Sequence, residues 1–125
     1  MNLIKRFLSG RQKLKITPSS FNWPGQSGKE YQYEIHPLDT SLRPLPGIYI
    51  YAKQSEDGRW IPIYIAQTRD LHQKLEGHVN VADAIGNGAT HIHVHYCSAS
   101  QASRSTEERD LIHRWQPVCN ELMEN

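Results

Sequence analysis

Cysteine is scarce in this sequence. Cys97 and Cys119 are the two in 125 residues, and neither belongs to a Cys-x-x-Cys spacing. That excludes a disulfide framework and a zinc ribbon, and it fits a reduced, cytoplasmic setting. Long apolar runs are missing too. The longest, Ile48-Tyr49-Ile50-Tyr51-Ala52, falls far short of the roughly 20 residues a membrane helix needs. The first ten residues hold Lys5 and Arg6 and no continuous apolar stretch, so a secretory signal is not expected. There is no internal repeat and no low-complexity segment. What remains is enough for one core. Hydrophobic residues make up 38% and charged residues 22%, and single domains usually take roughly 100–200 residues.

Acid is absent from positions 1–29, which carry six cations: Lys5, Arg6, Arg11, Lys13, Lys15 and Lys29. Residues 30–125 carry eight cations against 13 acids, a net −5. The chain therefore reads as a basic N-terminal extension, 1–28, on a folded acidic body, 29–125. Such an arm suits either contact with a polyanion or the solubility of a surface tail.

Leu3, Ile4, Phe7 and Leu8 make one short helical stripe, and Leu14-Lys15-Ile16 a brief strand. Thr17 to Ser20 and Asn22 to Gly28 read as loop, because Pro and Gly interrupt both regular elements. Tyr31, Tyr33 and Ile35 alternate with polar residues as in a half-buried strand. Two further strands, from Gly47 and from Ile61, flank the turn Ser55-Glu56-Asp57-Gly58, and Asp-Gly is a strong hairpin signal. In this hairpin Ile48 and Ile50 face opposite to Tyr49 and Tyr51. Ile61, Ile63 and Ile65 are expected on one face, with Tyr64 and Ala66 on the other.

Asp70 opens a helix whose stripe is Leu71, Lys74, Leu75 and His78. A short helical turn over Val81 to Ile85 ends at Gly86-Asn87-Gly88, which is no phosphate loop, since no Gly-Lys-Ser/Thr follows. His91 to Tyr96 alternates as a strand. Ser98-x-x-Gln101 has the form of a capping box for a last helix, which Pro117 ends.

Three groups could carry chemistry. Glu108 shares a stripe with Leu111, Ile112 and Trp115, which turns a carboxylate toward the protein body. Such a group is costly to bury unless paired, bonded or metal-bound, or it is a boundary residue whose head reaches water. Lys74 and His78 set a cation beside an imidazole, as a site or as a snorkelling pair. His91, His93 and His95 lie about 7 Å apart along one strand face and converge poorly on one ion. They read as a dispensable, solvated face.

Gly47-Ile48-Tyr49, Tyr64-Ile65-Ala66, Leu71-x-x-Lys74 and Glu108-x-x-Leu111-Ile112 followed by Pro117-Val118-Cys119-Asn120 occur in this order. Together they resemble the GIY-YIG nuclease family over residues 44–120. The resemblance implies an α+β domain with a small antiparallel-rich sheet flanked by helices. It also implies cleavage of DNA with one magnesium or manganese ion. Tyr49 and Tyr64 would surround the scissile phosphate and Lys74 would stand at the family's arginine position. His78 would fill a His or Tyr position. Glu108 would hold the metal, and Asn120 would brace the site. Tyr49 and His78 are the two candidates for general base. Two positions depart from the family. Ala66 replaces a glycine, and Lys74 offers a point charge where arginine offers a planar fork. A nucleic-acid-binding module that has lost the chemistry, and a protein-interaction domain, are the alternatives.

Overall fold

A computed structural model describes residues 19–76 and 80–123. The expected elements within 3–8 and 14–16, and His78, lie outside these residues. The strands are β1 (Ser20–Pro24), β2 (Glu30–Pro37), β3 (Gly47–Gln54), β4 (Trp60–Thr68) and β5 (His91–Tyr96). The helices are α1 (Leu71–Leu75), α2 (Asn80–Gly86), α3 (Gln101–Trp115) and α4 (Val118–Met123). The strands form one sheet in the order β1-β2-β5-β3-β4, with every neighbouring pair antiparallel. This is the expected α+β class. No helix among the described residues is long and apolar enough to cross a membrane.

Both faces of the sheet are packed. The alternation of Ile and Tyr along β3 puts Ile48, Ile50 and Ala52 into one cluster with Trp23, Tyr33, Ile65 and Leu111 of α3. Tyr49 and Tyr51 enter the other, with Leu71, Ala84 and Cys119 from three helices. Branched and aromatic side chains suit such a two-sided strand.

Several expectations give way here. Asn22-Trp23-Pro24 is strand, not loop. The sheet therefore begins at Ser20, inside the stretch read as the basic extension. Trp23 is fully buried, and its indole stands edge-on to Phe21 at 4.9 Å and to Trp115 at 5.4 Å. Burial of those rings outweighs the weak strand preference of Pro24, which is tolerated because β1 is an edge strand. The isoleucines of β4 do not share a face. Tyr64 pairs with Tyr51 but Pro62 pairs with Ala52, so Ile63 is an extra, bulged residue. Ile63 joins the tyrosine cluster while Ile65 stays in the other. Pro62 has no N–H for the ladder, and a bulge is where a strand accepts that loss.

The strand histidines are not a solvated face. His93 is fully buried, with its ring 4.6 Å from Trp60 and 5.5 Å from Trp23. Trp23 Nε1 donates to His93 Nδ1 at 2.9 Å. Indole can only donate, so the imidazole proton sits on Nε2. His95 Nδ1 lies 2.8 Å from Glu107 Oε2, and the same oxygen accepts from the Tyr33 hydroxyl at 2.7 Å. That ties α3 to β2 and β5. The helix cap is Ser100, whose side chain accepts from Ser103 N, two residues beyond the expected Ser98.

Asp110 makes a second tie. Its carboxylate accepts from Ser27 N, Ser27 Oγ and Tyr31 Oη at 2.7–2.8 Å. Burial alone would raise this carboxyl, but the hydrogen bonds outweigh it and hold the group below its ordinary range. A Cβ on Gly25 would lie 2.1 Å from Asp110 Oδ2, so glycine is what lets the turn close on the helix.

Candidate active site

Tyr49 stands on β3 and Tyr64 on β4. The register sets Tyr49 opposite Ala66 and Tyr51 opposite Tyr64, so all four share one face. The Tyr49 and Tyr64 ring centroids are 6.2 Å apart, and Tyr51 meets Tyr49 edge-on at 5.7 Å. Tyr49 is buried and Tyr64 half-buried. Burial pushes the Tyr49 hydroxyl far above the ordinary tyrosine range, and the charges of Tyr64, Tyr51 and Glu108 push the same way. Tyr51 is pushed up to about 12, by burial and then by Tyr64. The Tyr49 environment therefore favours a phenol that keeps its proton, a hydrogen-bond donor rather than a base.

Glu108, half-buried on α3, acts electrostatically on the Tyr49 hydroxyl from a different element of the fold. Tyr49 and Tyr64 thus pack together across β3 and β4, and the charge of Glu108 on α3 reaches Tyr49. Lys74 is exposed on α1. Asp70 caps that helix as expected, its side chain accepting from Gln73 N at 3.0 Å. Yet α1 stops at Leu75, with Glu76 extended. Of the expected stripe, Leu71, Lys74 and Leu75 lie on this helix, and position 78 lies outside the described residues.

The glycine that opens the first motif has a packing reason. A Cβ on Gly47 would lie 2.5 Å from the His95 carbonyl oxygen and 2.7 Å from Leu71 Cδ1. Backbone cannot yield cheaply there, so β3 approaches β5 and α1 this closely only as glycine. At Ala66 the departure from glycine is accommodated. Ala66 is 7% exposed and packs in the tyrosine cluster.

Asn120 is buried at 3% exposure. Its Oδ1 accepts from Ile65 N and its Nδ2 donates to Ile65 O, both at 2.8 Å. β4 is the other edge strand, so the side-chain amide stands where a further strand would pair. It fixes the backbone beside Tyr64 to α4. Asn120→Ala is expected to leave both Ile65 groups unsatisfied and to cost about 2–3 kcal/mol, measured by chemical denaturation. Asp in place of Asn keeps only the acceptor and should recover part of that loss at most.

The sequence reading passed over Arg104 and Glu107. Both are buried on α3, at 4% and 6% exposure. Arg104 donates from Nε to Gln67 Oε1 at 3.2 Å and from Nη1 to the Ala99 carbonyl at 2.8 Å. Arg104, Glu107 and Leu111 fall at i, i+3 and i+7, a stripe hidden by its two charges. Among the described residues no three His, Cys, Asp or Glu side chains form a metal cage. Glu108 offers one hard carboxylate oxygen donor group beside the phenols. Searches of protein-family models, curated proteins and solved structures give no match to this chain.

Proposed function

We propose that this chain is a divalent-metal-dependent endonuclease that hydrolyses DNA through a GIY-YIG-like site. The observation that supports this reading is the packing of Tyr49 against Tyr64 across two strands, with the charge of Glu108 on α3 acting on Tyr49. Those are the residues at which the motif resemblance would place phosphate and metal. One carboxylate fits magnesium, which keeps several waters and takes its other ligands from substrate phosphate. The ion, when bound at Glu108, would supply positive charge to the phosphate oxygens and lower the pKa of a water.

The chain's own residues do the remaining work. Tyr64, half-buried, is the phenol that donates toward a non-bridging oxygen, and fully buried Tyr49, holding its proton, backs it from the next strand. Lys74 adds a cation from α1. The base role that the Tyr49 environment disfavours falls, on the motif resemblance alone, to His78, an imidazole whose ordinary pKa is near neutrality. Asn120 holds β4, and with it Tyr64, in register with α4.

Cleavage of mixed DNA substrates with magnesium or manganese tests this reading. Lys74→Arg is the informative variant. A guanidinium fork that tightens as charge develops should raise the rate about 10- to 100-fold, equivalent to one charged hydrogen bond of roughly 1.5–3 kcal/mol. A slower Arg variant would mean that the site is fitted to the ammonium. A second reading keeps nucleic-acid binding without cleavage. It is favoured by the exposed position of Lys74 on a helix of five residues. No scission in wild type or variant, with salt-dependent DNA binding intact, would select it.

A further inference from the structure

At the turn end of the β3–β4 hairpin lies a cleft of about 630 Å³, which touches the tyrosine cluster through Ile63. Phe21, Trp60 and Trp115, all half-buried, contribute aromatic surface to it. Pro62 and Pro117 add apolar walls, and Val118, 44% exposed, stands at its rim. Its charged lining is of one sign. Lys53 and Arg59 border it, the Arg59 Nε paired with Asp57 Oδ2 at 3.1 Å on the exposed turn, and among the described residues no Asp or Glu lines the cleft itself. That is notable on a body whose acids outnumber its cations.

Gln116, also in the lining, is the C-cap of α3: its φ is +44°, in the left-handed region, and its N–H donates to the Ile112 carbonyl at 2.7 Å. That cap ends the helix before Pro117 and sets the wall of the cleft.

We infer that this cleft binds an unpaired nucleotide of a single strand, its base against the Trp60 and Trp115 side of the cleft and its phosphates at Lys53 and Arg59. Aromatic surface recognises any base by its π-face, and cations alongside follow the backbone; together they make a sequence-tolerant single-strand site. The inference rests on the nucleic-acid reading above, and it adds that the substrate carries a single-stranded portion outside the cleavage site.

The test is a titration of the intact chain, without divalent metal, with a short single-stranded oligonucleotide, followed by tryptophan fluorescence. Quenching is expected. Lys53→Gln with Arg59→Gln should weaken binding about tenfold and make the salt dependence shallower by about 0.7 in log–log slope per cation removed. Val118→Glu, an exposed change that places an anion at the rim, should weaken it as well. Circular dichroism checks that each variant is folded. Oligonucleotide affinity unchanged in all these variants would overturn the inference. So would a free mononucleotide that binds as tightly as the strand, or quenching by a proline-rich peptide when the oligonucleotide gives none. Cleavage is scored separately with magnesium. Variant-sensitive strand binding without scission rejects the nuclease and keeps the cleft, whereas scission with variant-insensitive binding does the reverse.

Discussion

Acidification from pH 7 to about 3.5 is expected to remove about 4 kcal/mol of stability through His93 alone. The folded protein holds this imidazole neutral down to about pH 3, chiefly by burial and then through the nearby His91 and His36. In the unfolded chain it titrates near 6.5. Between these values the unfolded state binds the extra proton, so stability rises with pH across the window and falls as pH drops through it. The contribution is fully present above pH 6.5. His93→Gln keeps an acceptor for Trp23 Nε1 and has nothing to titrate. Its stability should be lower at pH 7 but nearly flat from pH 6.5 to 4, a range above that in which the depressed Asp110 acts. Denaturation midpoints for both proteins across that range decide the matter. A parallel slope in the two would show that the imidazole is protonated in place.

Glu108→Gln is expected to abolish magnesium-dependent scission, with a loss of about 10³-fold or more in rate, equivalent to several kcal/mol of transition-state charge stabilisation. The amide has nearly the same shape and no charge, so packing on α3 should be little disturbed. The same substitution removes a negative charge that helps keep Tyr49 protonated, so the phenol should ionise more easily in the variant. Retained cleavage by the Gln variant would remove Glu108 from the site and with it the proposed chemistry.

The sequence was most legible where a local pattern sufficed. The β3–β4 hairpin could be read because Ile and Tyr alternate on both sides of Asp57-Gly58, and Asp70 could be read as a cap from its position alone. β1 was hidden because its two reasons for being a strand, Phe21 and Trp23, stand beside Pro24 and Gly25. The bulge at Ile63 was hidden because three isoleucines at alternate positions fit a regular strand, and only Pro62 hints otherwise. His93 looked solvent-facing for a similar reason. A polar side chain between His91 and His95 becomes a core residue only when Trp23 and Trp60 arrive from distant strands. Of the site, the stripe containing Glu108 was legible, but the more deeply buried charges one turn and one residue before it were not. Asn120 carried no pattern of its own. It stood out through the motif resemblance, and its two bonds to Ile65 give that position a mechanical meaning.

The strand order also sets a timetable. β2 lies beside β5, not beside β3, and the Trp23–His93 hydrogen bond joins residues 70 apart. The β3–β4 hairpin can close as soon as it is made, whereas the β1–β2 hairpin has no neighbour until β5 has been synthesised. At roughly 5–20 residues per second that interval is about 3–12 s. Through it Phe21 and Trp23 are exposed, and docking of the first hairpin must come late, at the cost of long-range closure. The two strands made first among the described residues are therefore the last to join the sheet.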